Sequence, residues 1–292
     1  SLCSEISGED IVMSALLKLN NFIAAFIDAL RSMFYIRIWA PFFIFMLISL
    51  AVAFMLLNPF SGFWSGLAIA IGKTKLFSGG PGFVHYPQHM IMVPGVYGKV
   101  SIIVSILFDS ILTATGFIMF ARFFAGEQVR FFESLKDAFR KYLWLVLASI
   151  LVYAVLYLVS RYLPEVFRDF LVGSPRRQIA FDFAFKVFMF FVLSPFVYIQ
   201  PYLVIDDENL LVAVGKSIKM WFRNFFSTFF AIFLTQLLLL PFAVGMDFSF
   251  RLASSYSPEL INWLLYGHVV LFMFASFLLT AMLTRFFVEY HE

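Results

Sequence analysis

The chain has 292 residues, 62% of them hydrophobic and 13% charged, with a mean hydropathy of +0.91. Soluble domains carry about 25% charged residues, so the polar side chains here cannot cover a water-facing surface, and a bilayer is the main solvent. The net charge of +3 is too small to imply a nucleic-acid partner, and a single cysteine, Cys3, excludes an intrachain disulfide.

The opening stretch, SLCSEISGED, is polar and acidic and does not read as a secretory signal. Ser7 and Asp10 stand at the S-x-x-D spacing of a helix cap. Beyond them Ser14, Lys18, Asn21, Asp28 and Ser32, with Ala25 in step, follow a 3–4 spacing, while Ile11, Leu16, Ile23, Phe26, Ile27 and Leu30 fill much of the remainder. This predicts an amphipathic helix lying in the membrane interface.

A spanning helix needs about 20 mostly apolar residues. The first such run is near Ile38–Leu57. A predicted extramembrane loop follows over 58–98, rich in Gly and Pro, whose apolar piece FWSGLAIAI reads as a short or re-entrant helix. Long loops often carry function, which makes His85, Tyr86 and His89 a candidate partner or ligand loop. The i, i+4 histidines would suit a metal on a helix, but Pro87 lies between them and neither Cys nor an acidic residue is near, so no metal site is predicted.

The second run, near Val100–Phe120, carries Asp109 at its middle. A carboxylate in hydrocarbon is costly and faces a bundle interior or a wet cavity. His268, Gln236 and Lys186 are its candidate partners, in an intramembrane polar site or, as the simpler reading, a single interhelical hydrogen bond. The remaining runs are near Tyr142–Val159, Phe183–Ile205, Phe225–Val244 and Ile261–Phe287. Pro41, Pro195, Pro201 and Pro241 should kink these helices or mark their ends. The acidic cluster Asp206-Asp207-Glu208 reads as the cap of the helix that follows it.

Three segments echo one another: DALRSMFYIRIW (28–39), ESLKDAFRKYLW (133–144) and KSIKMWFRNFFS (216–227). Phe34, Phe139 and Phe222 align, as do Arg31, Lys136 and Lys219, and Arg122-Phe123-Phe124 matches Arg285-Phe286-Phe287. The pattern predicts an all-α, polytopic membrane protein: one integral membrane domain with six transmembrane helices in three units, about 9–124, 125–208 and 209–292, each an amphipathic helix followed by a hairpin. Arg31, Lys136, Arg140, Lys141, Lys216, Lys219 and Arg223 are then the predicted contacts to lipid phosphates. Twelve Lys and Arg fall on the side of the N-terminus and nine on the other, which predicts both termini in the cytoplasm.

The 42 Phe read as packing and lipid contacts rather than a pigment or quinone site. There is no P-loop, H-E-x-x-H, G-x-S-x-G or G-x-G-x-x-G in the required setting, so no catalysis and no cofactor are predicted, only bound lipid.

In VIDDENLLVAVGKSIKMWFRNFFSTFFAIFL, the residues Pro201 (just before it), Val204, Ile205, Asp206, Lys216, Ser217 and Trp221 resemble a group of bacterial six-span proteins similar to the membrane domain of some glycerophosphodiester phosphodiesterases. The phosphodiesterase barrel has no counterpart in these residues, so the resemblance implies the membrane fold and not that activity. The expected function is that of a non-catalytic subunit, accessory to or organising a larger complex with other membrane proteins in the bacterial inner membrane. The alternative is a transporter or lipid-handling permease with Asp109 facing an internal polar cavity.

Overall fold

A computed structural model of the chain describes residues 8–58, 62, 65–66, 69–70, 86, 88–167 and 174–291. Every regular element among them is helical. Helix α1 spans Gly8–Ser32, and a 3-10 turn, Ile36–Trp39, leads into α2, Ala40–Leu57. Pro41 sits in the first turn of α2, where its missing N–H has no partner to lose. Helix α3 runs unbroken over Gln88–Phe124, with a π-helical stretch at Ser105–Asp109. It ends where Gly126 takes φ 74°: Glu127 N–H reaches the Arg122 carbonyl and Gly126 N–H that of Phe123, the paired bonds of a glycine-terminated helix.

Helices α4 (Phe131–Arg140) and α5 (Tyr142–Val166) follow, then α6 (Pro175–Leu193), a 3-10 turn at Ser194–Phe196 and the short α7 (Ile199–Val204). The chain closes with α8 (Leu210–Arg223), α9 (Phe225–Asp247), α10 (Ser249–Ser255) and α11 (Glu259–His291). Among the described residues six helices are long and apolar enough to cross a membrane: Ile36–Leu57, Gln88–Phe124, Tyr142–Val166, Arg176–Val204, Phe225–Met246 and Glu259–Glu289. This is the pattern of a multi-pass membrane protein.

Two boundaries differ from the sequence reading. The second span begins at Gln88, so the last part of the predicted loop is helical. Val93, Val96, Tyr97 and Val100 recur at helical spacing and bury against Leu56, Leu265 and Val269, which outweighs the local weakness of Pro94, Gly95 and Gly98. The fourth span begins at Pro175 and breaks at Ser194–Phe196, where Pro195 cannot donate to the helical ladder. The FWSGLAIAI segment lies mostly outside the described residues.

Helix α11 is central, packing against α9, α2, α3 and α1. Its Phe277 anchors an aromatic core: Trp39 stacks on it at 4.1 Å, and Phe120 and Phe42 meet it edge-on at 5.1 and 5.4 Å. Gly116 of α3 makes room for Phe42, since a Cβ there would lie 2.7 Å from its ring. The outer spans pack differently. Helix α5 buries only Leu145 and Ala148 near its start, and no described residue of α6 is buried. In the span Arg176–Val204, 6% of the most apolar window is buried, against 61% in the central span.

The amphipathic helices α1, α4 and α8 gather at one end of the bundle and form a collar. Arg285 of α11 reaches Asp28 of α1 at 3.2 Å, Arg122 of α3 reaches Asp137 of α4 at 2.9 Å, and Lys141 reaches Asp207, ahead of α8, at 2.6 Å. The ends of α7 and α11 meet there through Tyr202 and Phe287, at 4.9 Å.

Candidate functional site

The polar interior of the bundle is built on α3. Tyr97, Ser101, Ser105, Asp109 and Thr113 stand four residues apart, a polar stripe along the helix. The π-helical stretch shifts the backbone ladder in the middle of that stripe. The Leu107 carbonyl there accepts from the Tyr142 hydroxyl at 3.1 Å, a bond to a side chain of the next span. Asp109 closes the stretch half-buried, accepting from the Thr113 hydroxyl at 2.8 Å and close-packed beside Pro41, Phe42, Phe45, Met273 and Ser276 with no room for a water.

A cavity of about 250 Å³ lies beside it and shares Phe45 and Met273 as walls. Its polar lining comes from four spans: Ser49 of α2, Tyr97, Ser101 and Ser105 of α3, Tyr153 of α5 and His268 of α11. Met46, Ile102, Val269 and Phe272 complete the apolar part. In this lining Tyr97 and Ser49 bring α3 against α2, and Tyr153 and Ser105 bring it against α5. Tyr153 also lies within electrostatic reach of the Asp109 carboxylate. His268 Nδ1 is buried without a hydrogen-bond partner among the described residues. The cavity thus offers hydroxyls and an imidazole but no formal charge, and it suits an uncharged, hydrogen-bonding guest.

The structure places His268 in the lining of the cavity and Asp109 in the close-packed contact beside it. Gln236 of α9 and Lys186 of α6 line neither of them. Sequence reasoning missed Ser49, Tyr97, Ser101, Ser105 and Tyr153; the four-residue polar stripe on α3 was the signal that finds three of them.

The loop residues separate. His85 lies outside the described residues, whereas His89 is buried in the first turn of α3, with the Tyr86 ring 6.0 Å away. Tyr86 donates to Glu259 Oε1 at 2.9 Å, and that bond to a carboxylate raises the Tyr86 pKa above 10.0. Among the described residues no group of three or more His, Cys, Asp or Glu could hold a metal ion.

At the collar, four of the predicted phosphate contacts pair with carboxylates. Arg31 pairs with Asp28 at 3.8 Å, Arg140 with Asp137 at 3.7 Å, Lys141 with Asp207 and Lys216 with Glu208. Two residues of the acidic cluster thus hold lysines, Asp207 at φ 59°, and α8 follows Asn209 without a side-chain hydrogen bond at its cap. Donating a hydrogen bond to the Glu208 carboxylate raises the Lys216 pKa above its ordinary 10.5, with the nearby charges of Glu208 and Asp206 adding to it. Lys136, Lys219 and Arg223 are exposed on the outer surface of the collar. No protein-family model, curated protein or solved structure matches the chain.

Proposed function

We propose that the protein is a permease-type membrane protein that binds a small, uncharged, hydrogen-bonding solute within the bundle, with Asp109 as the ionisable group beside the binding cavity. The observation that carries this reading is the convergence of Ser49, Tyr97, Ser101, Ser105, Tyr153 and His268, from four spans, on one cavity of about 250 Å³. Packing alone does not require it: polar side chains in hydrocarbon are expensive and gather where they bind or conduct.

The test needs no knowledge of the solute. With Cys3→Ser removing the native thiol, Ser105→Cys places one thiol in the cavity and Leu147→Cys places one on the exposed face of α5. A small water-soluble methanethiosulfonate should label the first and spare the second in proteoliposomes. If Ser105→Cys is as inert as Leu147→Cys, the cavity is dry packing and the reading fails.

The second reading, an accessory subunit of a larger bacterial inner-membrane complex, draws on α5 and α6, whose lengths beyond Ala148 and throughout Pro175–Leu193 carry no described buried residue. Native co-purification tests it, and recovery of the protein alone after mild extraction counts against it.

Three related units with both termini in the cytoplasm belong to the same proposal. Support comes from aligned positions in the collar. Phe34, Phe139 and Phe222 are 90%, 64% and 70% exposed, while Ala29, Ser134 and Ser217 are wholly buried. The aligned Asp28 and Glu133 both lie against the aligned Arg285 and Arg122, at 3.2 and 3.8 Å. The tally of twelve basic residues against nine supports the orientation. The residues resembling the phosphodiesterase membrane domain, Pro201 to Trp221, span the α7–α8 junction at that collar.

A further inference from the structure

The polar lining of the interior cavity is of one chemical kind. Ser49, Tyr97, Ser101, Ser105 and Tyr153 bring hydroxyls, and His268 brings an imidazole. Among the described residues that line it there is no carboxylate, ammonium, guanidinium or carboxamide. Ser101 donates to the Gly98 carbonyl at 2.9 Å, which leaves its oxygen to accept from a guest. His268 keeps Nδ1 buried without a partner among the described residues, a cost that a hydrogen-bonding guest removes. Tyr97, Ser101 and Ser105 follow one another at about 6 Å of rise along α3. Their hydroxyls form a ladder rather than a single point of contact. The rings of Phe45, Phe272, Tyr97 and Tyr153 supply apolar wall beside it.

We infer that the solute is a short, free polyol, with about three to five carbons and a hydroxyl on nearly every one. This rests on the permease reading and names its substrate class. A hydroxyl is the neutral group that donates and accepts at one atom, so a guest carrying several can answer each side chain of the ladder. Its carbons then lie against the rings. An amide such as urea separates donor from acceptor and brings no carbon chain for the aromatic wall. The size agrees: about 250 Å³ is the liquid share of about eight waters, room for a molecule between glycerol and xylitol. The glycerol headgroup of phosphatidylglycerol shares the chemistry, but it brings a phosphate, and the lining offers no cation to receive one.

Protection from thiol labelling in phosphatidylcholine proteoliposomes decides it. The reporter is Met46→Cys on a Cys3→Ser background; Met46 is an apolar wall residue, so every polar group of the lining is kept. A small water-soluble methanethiosulfonate should label it. Xylitol should slow that labelling saturably, and urea at the same concentration should not. Ser101→Ala, which removes one rung, should raise the half-protecting xylitol concentration about tenfold. Leu147→Ala, on the exposed face of α5, should leave it unchanged. Labelling that xylitol does not slow, equal slowing by urea, or an unchanged half-protecting concentration in Ser101→Ala would each overturn the polyol assignment while a wet cavity, and with it the permease reading, stands. Inert thiols at both Met46→Cys and Ser105→Cys would overturn the two together. Protection that appears without polyol in phosphatidylglycerol vesicles would give the site to a lipid headgroup and overturn the free solute. Xylitol protection of Ser105→Cys reads out if Met46→Cys does not fold.

Discussion

Arg285 of α11 lies 3.2 Å from Asp28 of α1, so the first helix is tied to the central span by an ion pair at the collar. Both side chains keep about a third of their surface exposed, which limits the pair to about 0.5–1 kcal/mol. A double-mutant cycle with Asp28→Asn and Arg285→Gln, read as thermal unfolding in detergent, should give a coupling of that size, weaker at high salt. A coupling of zero would mean that α1 is held by apolar contacts alone.

Gly116 and Gly98 lie on the same helix but differ in what surrounds them. A Cβ on Gly116 meets the ring of Phe42, which is 4% exposed and cannot swing away, whereas a Cβ on Gly98 meets nothing within 4 Å. Gly116→Ala should therefore cost about 1–3 kcal/mol by overpacking. Gly98→Ala should be neutral or stabilising by up to about 1 kcal/mol, since alanine favours the helix. Thermal midpoints of the two purified variants make the comparison.

The Lys216–Glu208 pair predicts an alkaline limit. The lysine pKa is raised in the folded protein, so its contribution is fully present below 10.5 and is lost as pH rises through the raised value. Between neutral pH and about pH 12, the wild type should lose more stability than Glu208→Gln, which never had the pair. Parallel pH-melting curves of the two proteins would refute this.

Asp109→Asn retains an oxygen that can accept from Thr113 and removes only the ionisable group. If the carboxylate serves binding rather than folding, the variant should elute and melt like the wild type, within about 0.5 kcal/mol. Transport of the solute should be abolished. A variant that aggregates on size exclusion would make Asp109 a structural residue instead.

Much of the architecture was legible because hydrocarbon imposes a simple rule. Backbone groups in lipid must pair within their own segment, so long apolar runs become helices whatever they later touch. The candidate site was legible only in part. Asp109 stood out as a charge in an apolar run, but hydroxyls such as Ser101 and Ser105 are too common in membrane helices to stand out one at a time. Their four-residue spacing with Tyr97 and Asp109 was written in the chain; Ser49, Tyr153 and His268 sit on other spans, and no spacing along one helix could assign them to the same cavity.

By itself, then, the sequence determined the six apolar helices, the amphipathic character of α1, α4 and α8, and the placing of a carboxylate at mid-span, all consequences of composition and period. Tertiary structure alone decided that the second span reaches back to Gln88, that the collar lysines turn to Asp207 and Glu208, and that six polar side chains from four helices share one cavity. Each of those outcomes depends on which helix faces which, and that is set by side-chain packing between segments far apart in the chain rather than by any local pattern within them.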